Sequence, residues 1–364
     1  MSTKEQLELL SDDDLISRMT QCKNDAAKAD VMQLGLKVTL NSAYGMIGNE
    51  YSRYFDTRIA EGITVSGQLS IRWIERKLDE YLNTICGTEG KSFAVAGDTD
   101  SLYISLAPLV DKFFPDAPKD KVVHAIDKIC EEKIQPVIDD AYRELAEYMN
   151  AFDQKMFMSR EVIADRGLWR AKKNYALNVW NSEGVAYDEP KLKVMGIEST
   201  RSSTPEICRD AIKESIRLIM TEDESTVQSF IGDFKTKFYK LPIEDISRNT
   251  GVKDIEKWFQ EDGFRSGTPY HVKGAMVYNR ILESMDLGGE YRSIHSGDKV
   301  KLVYLKKANP THNNTIAYPD ILPPEFGLHK YVDKTVQYRK NYLDPVESLL
   351  ALIGWNSKKL NTLW

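Results

Sequence analysis

The feature that most constrains this chain is a pair of aspartates between two short apolar segments. Phe93–Val95 and Leu102–Leu106 flank the run Gly97-Asp98-Thr99-Asp100-Ser101. Short apolar segments on either side of turn-forming residues are typical of a β-hairpin. The sequence therefore predicts a hairpin that carries its acids at the turn, where Gly97 permits a close backbone approach.

Asp98 and Asp100 are two residues apart, and on an extended chain residues i and i+2 point to the same side. Two carboxylates so placed can share divalent cations, and oxygen ligands favour Mg²⁺ or Mn²⁺. Two such ions ~3.5–4 Å apart can activate a hydroxyl and stabilise a leaving pyrophosphate. A solvated turn is the ordinary alternative, and the Asp-x-Asp Mn²⁺ site of nucleotide-sugar transferases is another.

A helix is predicted over residues 11–46, with Ser11 as N-cap and a break near Asn24-Asp25. One face of this helix combines a lysine, an amide, a phenol and two glycines, namely Lys37, Asn41, Tyr44, Gly45 and Gly48. These residue types suit a nucleotide: Lys37 for a triphosphate, Asn41 for sugar or phosphate, and Tyr44 for a base pair. The glycines would allow a planar ligand to approach closely. A solvated face that ends in helix-terminating glycines is the alternative.

The rest of the chain is predicted to mix helices and strands. A helix is expected over Ile63–Ile85, and a long amphipathic helix over Lys119–Asn150, with Pro136 kinking or splitting it. Strands are expected around Met156–Ala164, Asn174–Trp180, Lys191–Met195, Lys299–Leu305 and Thr315–Tyr318. Thr204 is predicted to cap a helix with Pro205 at its first position, and the chain beyond residue 203 is expected to be mostly helical.

Two of these runs together identify a family. Lys37-Val38-Thr39-Leu40-Asn41-Ser42-Ala43-Tyr44-Gly45, followed some fifty residues later by Gly97-Asp98-Thr99-Asp100-Ser101, resembles motifs B and C of family B DNA polymerases. Trp73–Lys77 and Ala176–Trp180 are similar to the T4-type bacteriophage replicative polymerases. The resemblance is strong over roughly residues 31–205 and looser through the remainder.

The resemblance implies an α+β fold in which a palm, an antiparallel sheet with helices, precedes a mostly helical thumb and follows a fingers helix. Fingers would cover residues 1–60, palm 61–203 and thumb 204–364. It implies DNA-directed DNA polymerase activity with two Mg²⁺ ions, or Mn²⁺, and with primer–template DNA and a deoxynucleoside triphosphate (dNTP) as partners.

The resemblance also assigns roles to residues at the catalytic centre. Asp100 would be the principal metal ligand, Asp98 would support the site, and Thr99 would lie near the primer terminus. Glu161 matches a further palm acid near the metals, although a surface strand residue is the alternative there. On the fingers helix, Lys37 and Asn41 would meet the triphosphate and sugar of the incoming nucleotide, and Tyr44 would monitor the nascent pair from the minor-groove side. Gly45 belongs to the same expected nucleotide-binding set.

Two further segments match the family more locally. Lys172-Lys173-Asn174-Tyr175 resembles its Lys-Lys-x-Tyr motif, which touches the minor groove of the primer–template. Two lysines and a tyrosine can reach phosphates and groove acceptors without reading sequence, although a solvated lysine pair is the ordinary alternative. Relatives bind a sliding clamp with their C-terminus, and Leu360, Leu363 and Trp364 are the expected anchors here, unless the tail folds back on its own domain.

Several parts of the family are not found in the sequence. The motif A aspartate, the 3′–5′ exonuclease motifs and the other fingers helix all precede motif B in relatives. We therefore expect the C-terminal subunit of a two-chain polymerase, inactive without an N-terminal chain that carries motif A and the exonuclease. A fragment of a single-chain enzyme and a non-catalytic DNA-binding accessory subunit are the alternatives.

The composition limits the kinds of partner, metal site and cellular location that the sequence predicts. The net charge is −6, which permits a local basic groove for DNA beside acidic surfaces. The four cysteines are widely separated, so neither a disulfide framework nor a zinc site is indicated. No apolar run approaches the ~20 residues that span a bilayer. We expect a cytoplasmic protein without a membrane partner, in the host cell if the source is viral.

Overall fold

The computed structural model describes residues 10–260 and 263–358. The chain divides into two compact units, the described parts of Met1–Leu106 with Val137–Phe157 and of Ala107–Pro136 with Met158–Trp364. Both helices and small antiparallel sheets are present, which agrees with the predicted α+β class.

The helices are named in chain order. They are α1 (Asp12–Gly48), α2 (Thr57–Cys86), α3 (Ala107–Phe113), α4 (Lys119–Ile129), α5 (Gln135–Tyr148), α6 (Glu206–Thr221), α7 (Glu224–Lys240), α8 (Ile243–Ile246), α9 (Ile255–Trp258), α10 (Tyr270–Ser284), α11 (Lys334–Tyr338) and α12 (Asp344–Leu350). Turns with i→i+5 bonds, the π-helical kind, precede α5 and α12 at Cys130–Ile134 and Arg339–Leu343. Short 3₁₀ turns lie at Glu198–Thr200, Pro324–Phe326, His329–Tyr331 and Ala351–Ile353.

The strands are likewise named in chain order. They are β1 (Ala94–Asp98), β2 (Ser101–Ile104), β3 (Val162–Ala171), β4 (Asn174–Ser182), β5 (Val185–Met195), β6 (Arg248–Gly251), β7 (Phe259–Gln260), β8 (Gly263–Phe264), β9 (Lys299–Tyr304) and β10 (Thr315–Tyr318). All the pairings between them are antiparallel.

Helix α1 begins as predicted but does not break. The Ser11 hydroxyl accepts a hydrogen bond from the Asp14 backbone N–H at 3.2 Å, so Ser11 is the N-cap. The predicted break at Asn24-Asp25 is wrong, because the helix runs unbroken to Gly48. Gln21 Nε2 donates to the Asp25 carboxylate at 2.9 Å, an i,i+4 contact that supports the helix at that point. No residue of α1 is buried.

The first unit is built on α2. This helix was expected to begin at Ile63 but begins at Thr57, because the Asp56 carboxylate caps it by accepting from the N–H groups of Arg58 and Ile59. Its buried side chains recur at helical spacing: Ser70, Ile74, Leu78 and Leu82. Trp73 stacks on Tyr148 of α5 with ring centroids 5.6 Å apart.

Pro136 interrupts the predicted long helix, as the sequence predicts, and the interruption takes the form of a turn just before the proline. A proline lacks the N–H of a regular helix, and its ring clashes with the carbonyl four residues earlier. The backbone accommodates this with a turn of i→i+5 geometry at Cys130–Ile134, in which the N–H of Gln135 bonds to the carbonyl of Cys130. The expected long helix is therefore interrupted between α4 and α5, and α5 ends at Tyr148.

The second unit contains the sheet β3-β4-β5, in which β4 is central. The strand expected from Met156 begins only at Val162 and continues to Ala171. Two-residue turns join the strands at Lys172–Lys173 and Glu183–Gly184. The sheet packs through Ala176 against a core whose largest buried side chains include Phe238, Tyr342, Ile212 and Ile216.

A second sheet, β10-β9-β6, lies in the same unit. The predicted β9–β10 pair is confirmed, whereas β6 was missed and shows that the chain beyond residue 203 is less purely helical than expected. Thr204 does not cap α6, since the helix begins at Glu206 after Pro205 and lacks a side-chain cap. Among the residues that the structure describes, no helix has the length and apolarity to cross a membrane.

Candidate active site

Asp98 and Asp100 lie at the tip of the β1–β2 hairpin, as predicted. Asp98 is the last residue of β1 and pairs with Ser101, so Thr99 and Asp100 form the turn. The N–H of Asp100 donates to the carbonyl of Asp98 at 2.6 Å, and the Ser101 hydroxyl donates to the same carbonyl at 3.1 Å. Asp98 is half-buried, whereas Thr99 and Asp100 are exposed.

Thr99 has a strained backbone. Its φ is +55°, a left-handed conformation that is an outlier for a β-branched residue. The bond from Asp100 to Asp98 closes a three-residue turn about it, of a rare and strained kind. Such strain costs about 1–3 kcal/mol and concentrates at functional sites. The Thr99 hydroxyl also donates to Asp98 Oδ1 at 3.1 Å, which orients that carboxylate.

The relative direction of the Asp98 and Asp100 carboxylates is not set in the way that the sequence predicts. An i, i+2 pair shares one side only on extended chain, but here the strand ends at Asp98 and Thr99 reverses the backbone. The turn, and not strand alternation, therefore sets the relative direction of the two carboxylates. Within residues 10–260 and 263–358, no three or more His, Cys, Asp or Glu residues are grouped so that they could hold a metal.

The residues predicted to bind a nucleotide lie on α1, also in the first unit. Lys37, Asn41, Tyr44 and Gly45 are all exposed, Tyr44 by 42%. A Cβ added at Gly45 or Gly48 would meet nothing within 4 Å. The helix therefore presents an accessible face with open space at its glycines, where a flat group can lie against the backbone.

Lys172 and Lys173 form the turn between β3 and β4 in the second unit, and both are exposed. Lys173 has φ +58°. Tyr175 differs from the lysines, since it is only 8% exposed and its ring stacks on Trp169 with centroids 6.3 Å apart. The side chains of Lys172 and Lys173 are therefore exposed to solvent, whereas most of the Tyr175 side chain is packed within the protein.

Glu161 lies immediately before β3, at the opposite end of that strand from the lysine turn. Its Oε1 is 2.7 Å from Lys193 Nζ on β5, and the Glu161 side chain is 60% exposed. It borders a cleft of about 620 Å³ together with the neighbouring Arg160 and the Glu183–Gly184 turn.

The segment before Glu161 is anchored by a polar network that sequence reasoning missed. Arg160 Nη1 donates to Asn181 Oδ1 at 2.8 Å, and Nη2 pairs with Asp127. Asn181 Nδ2 in turn donates to Asp127 Oδ2 at 3.2 Å. Arg160 and Asp127 are 33 residues apart in sequence, so no local pattern could have revealed the pair. The predicted tail anchors Leu360, Leu363 and Trp364 lie outside the described residues.

The comparisons with known proteins agree with the resemblance. Residues 14–111 match the family model described as DNA polymerase family B. The chain aligns with the DNA-directed DNA polymerase of Enterobacteria phage T4 over 365 positions at 35% identity, and the alignment covers 96% of this chain and 40% of the relative. It aligns with that of Escherichia phage RB69 over 378 positions at 35% identity, and the alignment covers 99% of this chain and 41% of the relative.

A more distant match is DNA polymerase 1 of Aeropyrum pernix, 24% identical over 77% of this chain and 25% of the relative. The chain therefore carries a region of DNA polymerase family B, residues 14–111, and is similar over nearly its whole length to two phage DNA-directed DNA polymerases. It spans about two fifths of the length of the phage relatives that it matches.

Proposed function

We propose that this chain supplies part of the catalytic centre of a DNA-directed DNA polymerase. The reaction would join a deoxynucleotide to the 3′-hydroxyl of a primer and release pyrophosphate. The observation that carries the proposal is the strained Asp98-Thr99-Asp100 turn, which holds two acids at an accessible hairpin tip in a family B chain.

The turn fits a divalent cation. Mg²⁺ is held in nucleotide-processing sites by one or two carboxylates, with substrate phosphates and water completing its shell. Asp98 and Asp100 offer only hard oxygen donors. When two such ions are bound, they activate the attacking hydroxyl and stabilise the leaving group. We propose Asp100, the more exposed of the two, as principal ligand and Asp98 as its support.

The α1 face is proposed to receive the incoming dNTP. Lys37 would place a positive charge near the triphosphate, and Asn41, one helical turn later, would reach sugar or phosphate. The ring of Tyr44 is exposed beside the open surface at Gly45 and Gly48. This arrangement can orient a nucleotide, and positioning is a large part of catalysis in phosphoryl transfer.

In the second unit, Lys172 and Lys173 are proposed to contact backbone phosphates of the primer–template. Charge contacts of this kind position a duplex without reading its sequence. Tyr175 would serve chiefly as the packed base of the turn, since little of it is exposed. Glu161 is proposed as an accessory acid whose charge Lys193 balances until other cations are bound. We further propose fingers, palm and thumb for residues 1–60, 61–203 and 204–364.

The centre is proposed to be completed by polypeptide outside these residues, either a second subunit or a preceding segment. A complete Asp-x-x-Ser-Leu-Tyr-Pro run does not occur in the sequence; the partial match Asp98–Tyr103 is followed by Ile104 in place of proline and is the hairpin already described. Helix α1 supports the idea, because Met32, Leu36 and Leu40 recur at helical spacing and are 69%, 59% and 73% exposed. Burial of such a stripe against the completing polypeptide would be favourable.

The test is primer extension on a recessed template with Mg²⁺ and all four dNTPs. The chain would be assayed alone and together with a polypeptide that carries motif A, and Asp100→Asn would be the matched variant. We expect extension only from the completed enzyme and its loss in Asp100→Asn. Equal extension by Asp100→Asn would favour a DNA-binding accessory role, and extension by the chain alone would contradict the need for completion. Clamp binding by the tail and location in the host cytoplasm stay predictions.

A further inference from the structure

We propose that Asn174 is a positioning residue that fixes the Lys172–Lys173 turn through the backbone of Gly196. The inference rests on the proposed function, since the turn is taken to meet the phosphates of a duplex. Asn174 is the first residue of β4 and pairs with Ala171. Its Nδ2 donates to the Gly196 carbonyl at 3.0 Å, so the amide faces the protein and not the ligand.

Gly196 makes this contact possible because it has no side chain. Its φ is +68°, and a Cβ added there would lie 2.1 Å from the Lys173 carbonyl oxygen and 3.4 Å from the Asn174 Cα. The backbone at Gly196 therefore rests directly against the turn. Any other residue would collide with Lys173 and would also be strained at this φ.

The segment that follows Gly196 is itself well fixed. Ile197 is fully buried, and Glu198 is held by Arg170, whose Nη2 donates to Oε1 at 3.1 Å while Nη1 lies 3.0 Å from Oε2. Arg201 Nη2 donates to the Gly196 carbonyl at 3.3 Å. The Asn174 bond thus ties the lysine turn to a rigid support and not to a loop that can move with it.

The chemistry explains why such support matters. Each lysine side chain loses rotamer freedom when it is ordered against a phosphate, and a backbone that is already held in place adds no further ordering cost. Lys173 has φ +58°, in a region that allows a non-glycine residue few backbone conformations, so the turn holds the two lysines in a restricted geometry. Loss of the Asn174 bond should therefore loosen both lysines at once and lower their joint contribution to duplex binding.

The test measures the affinity of the full 364-residue chain for a fluorescent primer–template by anisotropy, at several salt concentrations. Asn174→Ala should weaken binding about three- to tenfold and reduce the salt dependence, as loss of ordered phosphate contacts does. Gly196→Ala should act in the same direction. Asn249→Ala, which removes a weak side-chain bond elsewhere in the same unit, should leave affinity unchanged.

The deciding comparison repeats Asn174→Ala in a chain that also carries Lys172→Ala and Lys173→Ala. A residue that acts only through the lysines has no further effect once they are gone, so the two losses should not add. If Asn174→Ala lowers the affinity for duplex equally with and without the two lysines, or does not lower it when both lysines are present, the role proposed for Asn174 is wrong. Either result leaves the proposed DNA contact of the lysines standing. Failure of the unaltered chain to bind duplex, or unchanged affinity after both lysine substitutions, would overturn the proposed DNA contact as well. Thermal unfolding of each variant checks that affinity is compared between folded proteins.

Discussion

The Asp100 N–H donates to the Asp98 carbonyl at 2.6 Å, across a single intervening residue. Thr99, the intervening residue, has φ +55°, so the bond closes a γ-turn of the rare positive-φ kind. The two acids are therefore set by a local backbone bond and not by their pairing partners in the sheet. Threonine is unfavourable in that conformation, so its presence at position 99 lowers the stability of the turn.

Substitution of Thr99 by glycine should separate stability from function. Glycine adopts positive φ without strain, so the substitution should stabilise the folded chain by about 1–3 kcal/mol. Glycine also has more conformational freedom in the unfolded chain, which offsets about 0.5–1 kcal/mol of that gain. We expect Thr99→Gly to raise the free energy of unfolding by about 1 kcal/mol in urea denaturation, while extension by the completed enzyme falls. Ser101→Gly, in the neighbouring strand, should instead destabilise the chain. A less stable Thr99→Gly would mean that the turn is not strained.

Removal of the Asp100 charge should abolish catalysis without unfolding the chain. Asp100 is exposed, and surface substitutions usually change stability by less than about 0.5 kcal/mol. Loss of a principal metal ligand should lower kcat of the completed enzyme by about a thousandfold, or ~4 kcal/mol of barrier. Steady-state primer extension measures this effect, with the exposed Asp116→Asn as control. Similar losses in both variants would contradict a specific role for Asp100.

Glu198 should make the stability of the second unit depend on pH. Burial alone would raise the pKa of its carboxyl, but the hydrogen bond and charge of Arg170, with the charge of Arg201, bring the pKa below its ordinary value of 4.5. A lowered pKa stabilises the fold above the unfolded-state pKa, and this contribution is lost as the pH falls below it. Glu198→Gln should therefore lose less stability than the unaltered chain between about pH 6 and about pH 3.5. Parallel losses in urea unfolding would exclude a role for this carboxyl.

Much of the local structure was predictable because local chemistry decides it. Ser11 with Asp14 fixes the start of α1, and Pro136 interrupts its helix by the loss of one N–H. The errors arose where local preference was weak or overridden. Asn24 and Asp25 are poor helix formers, yet an i,i+4 bond and good flanking residues carry the helix through them. The short strand β6 depends on its partner β9, which lies about fifty residues later.

The candidate site was predictable in composition but not in geometry. The sequence points to Asp98 and Asp100, but the positive φ of Thr99 leaves no sequence signal in a β-branched residue. Gly196 is a similar case: its role depends on Lys173, which only sheet register brings against it. Burial of Tyr175 likewise follows from the central place of β4, which no short motif reveals.

Gln337 should be among the most sensitive buried polar residues of the second unit. It is fully buried, its Nε2 donates to the Ile246 carbonyl at 2.8 Å, and its Oε1 accepts from the Tyr304 N–H at 3.2 Å. Gln337→Leu would leave the Tyr304 N–H without this partner, and a buried unsatisfied donor costs about 1–3 kcal/mol. We expect a loss of that size in chemical denaturation. Gln68→Leu, at an exposed helical position, should have little effect, and equal effects would show that the Gln337 bonds contribute nothing specific.

The apolar stripe of α1 allows assembly to be tested in a binding assay without nucleotide. At 3.6 residues per turn, Leu36 and Leu40 lie about 100–180° around the helix from Asn41 and Gly45, whereas Tyr44 follows Leu40 by one turn and borders the stripe. Because both leucines are exposed in this chain, lysine at these positions should leave the thermal stability of the isolated chain nearly unchanged. Binding to the completing polypeptide should fall more than tenfold, since burial of two charges replaces burial of two leucines.

Sedimentation or calorimetric titration of the two polypeptides measures that association. Ser42→Lys is the matched control, because it adds the same charge to an exposed part of α1 away from the stripe. Unaltered binding by the Leu36→Lys, Leu40→Lys chain would show that α1 is not the contact surface. An equal loss in Ser42→Lys would show that positive charge anywhere on α1, and not loss of the apolar stripe, is what opposes assembly.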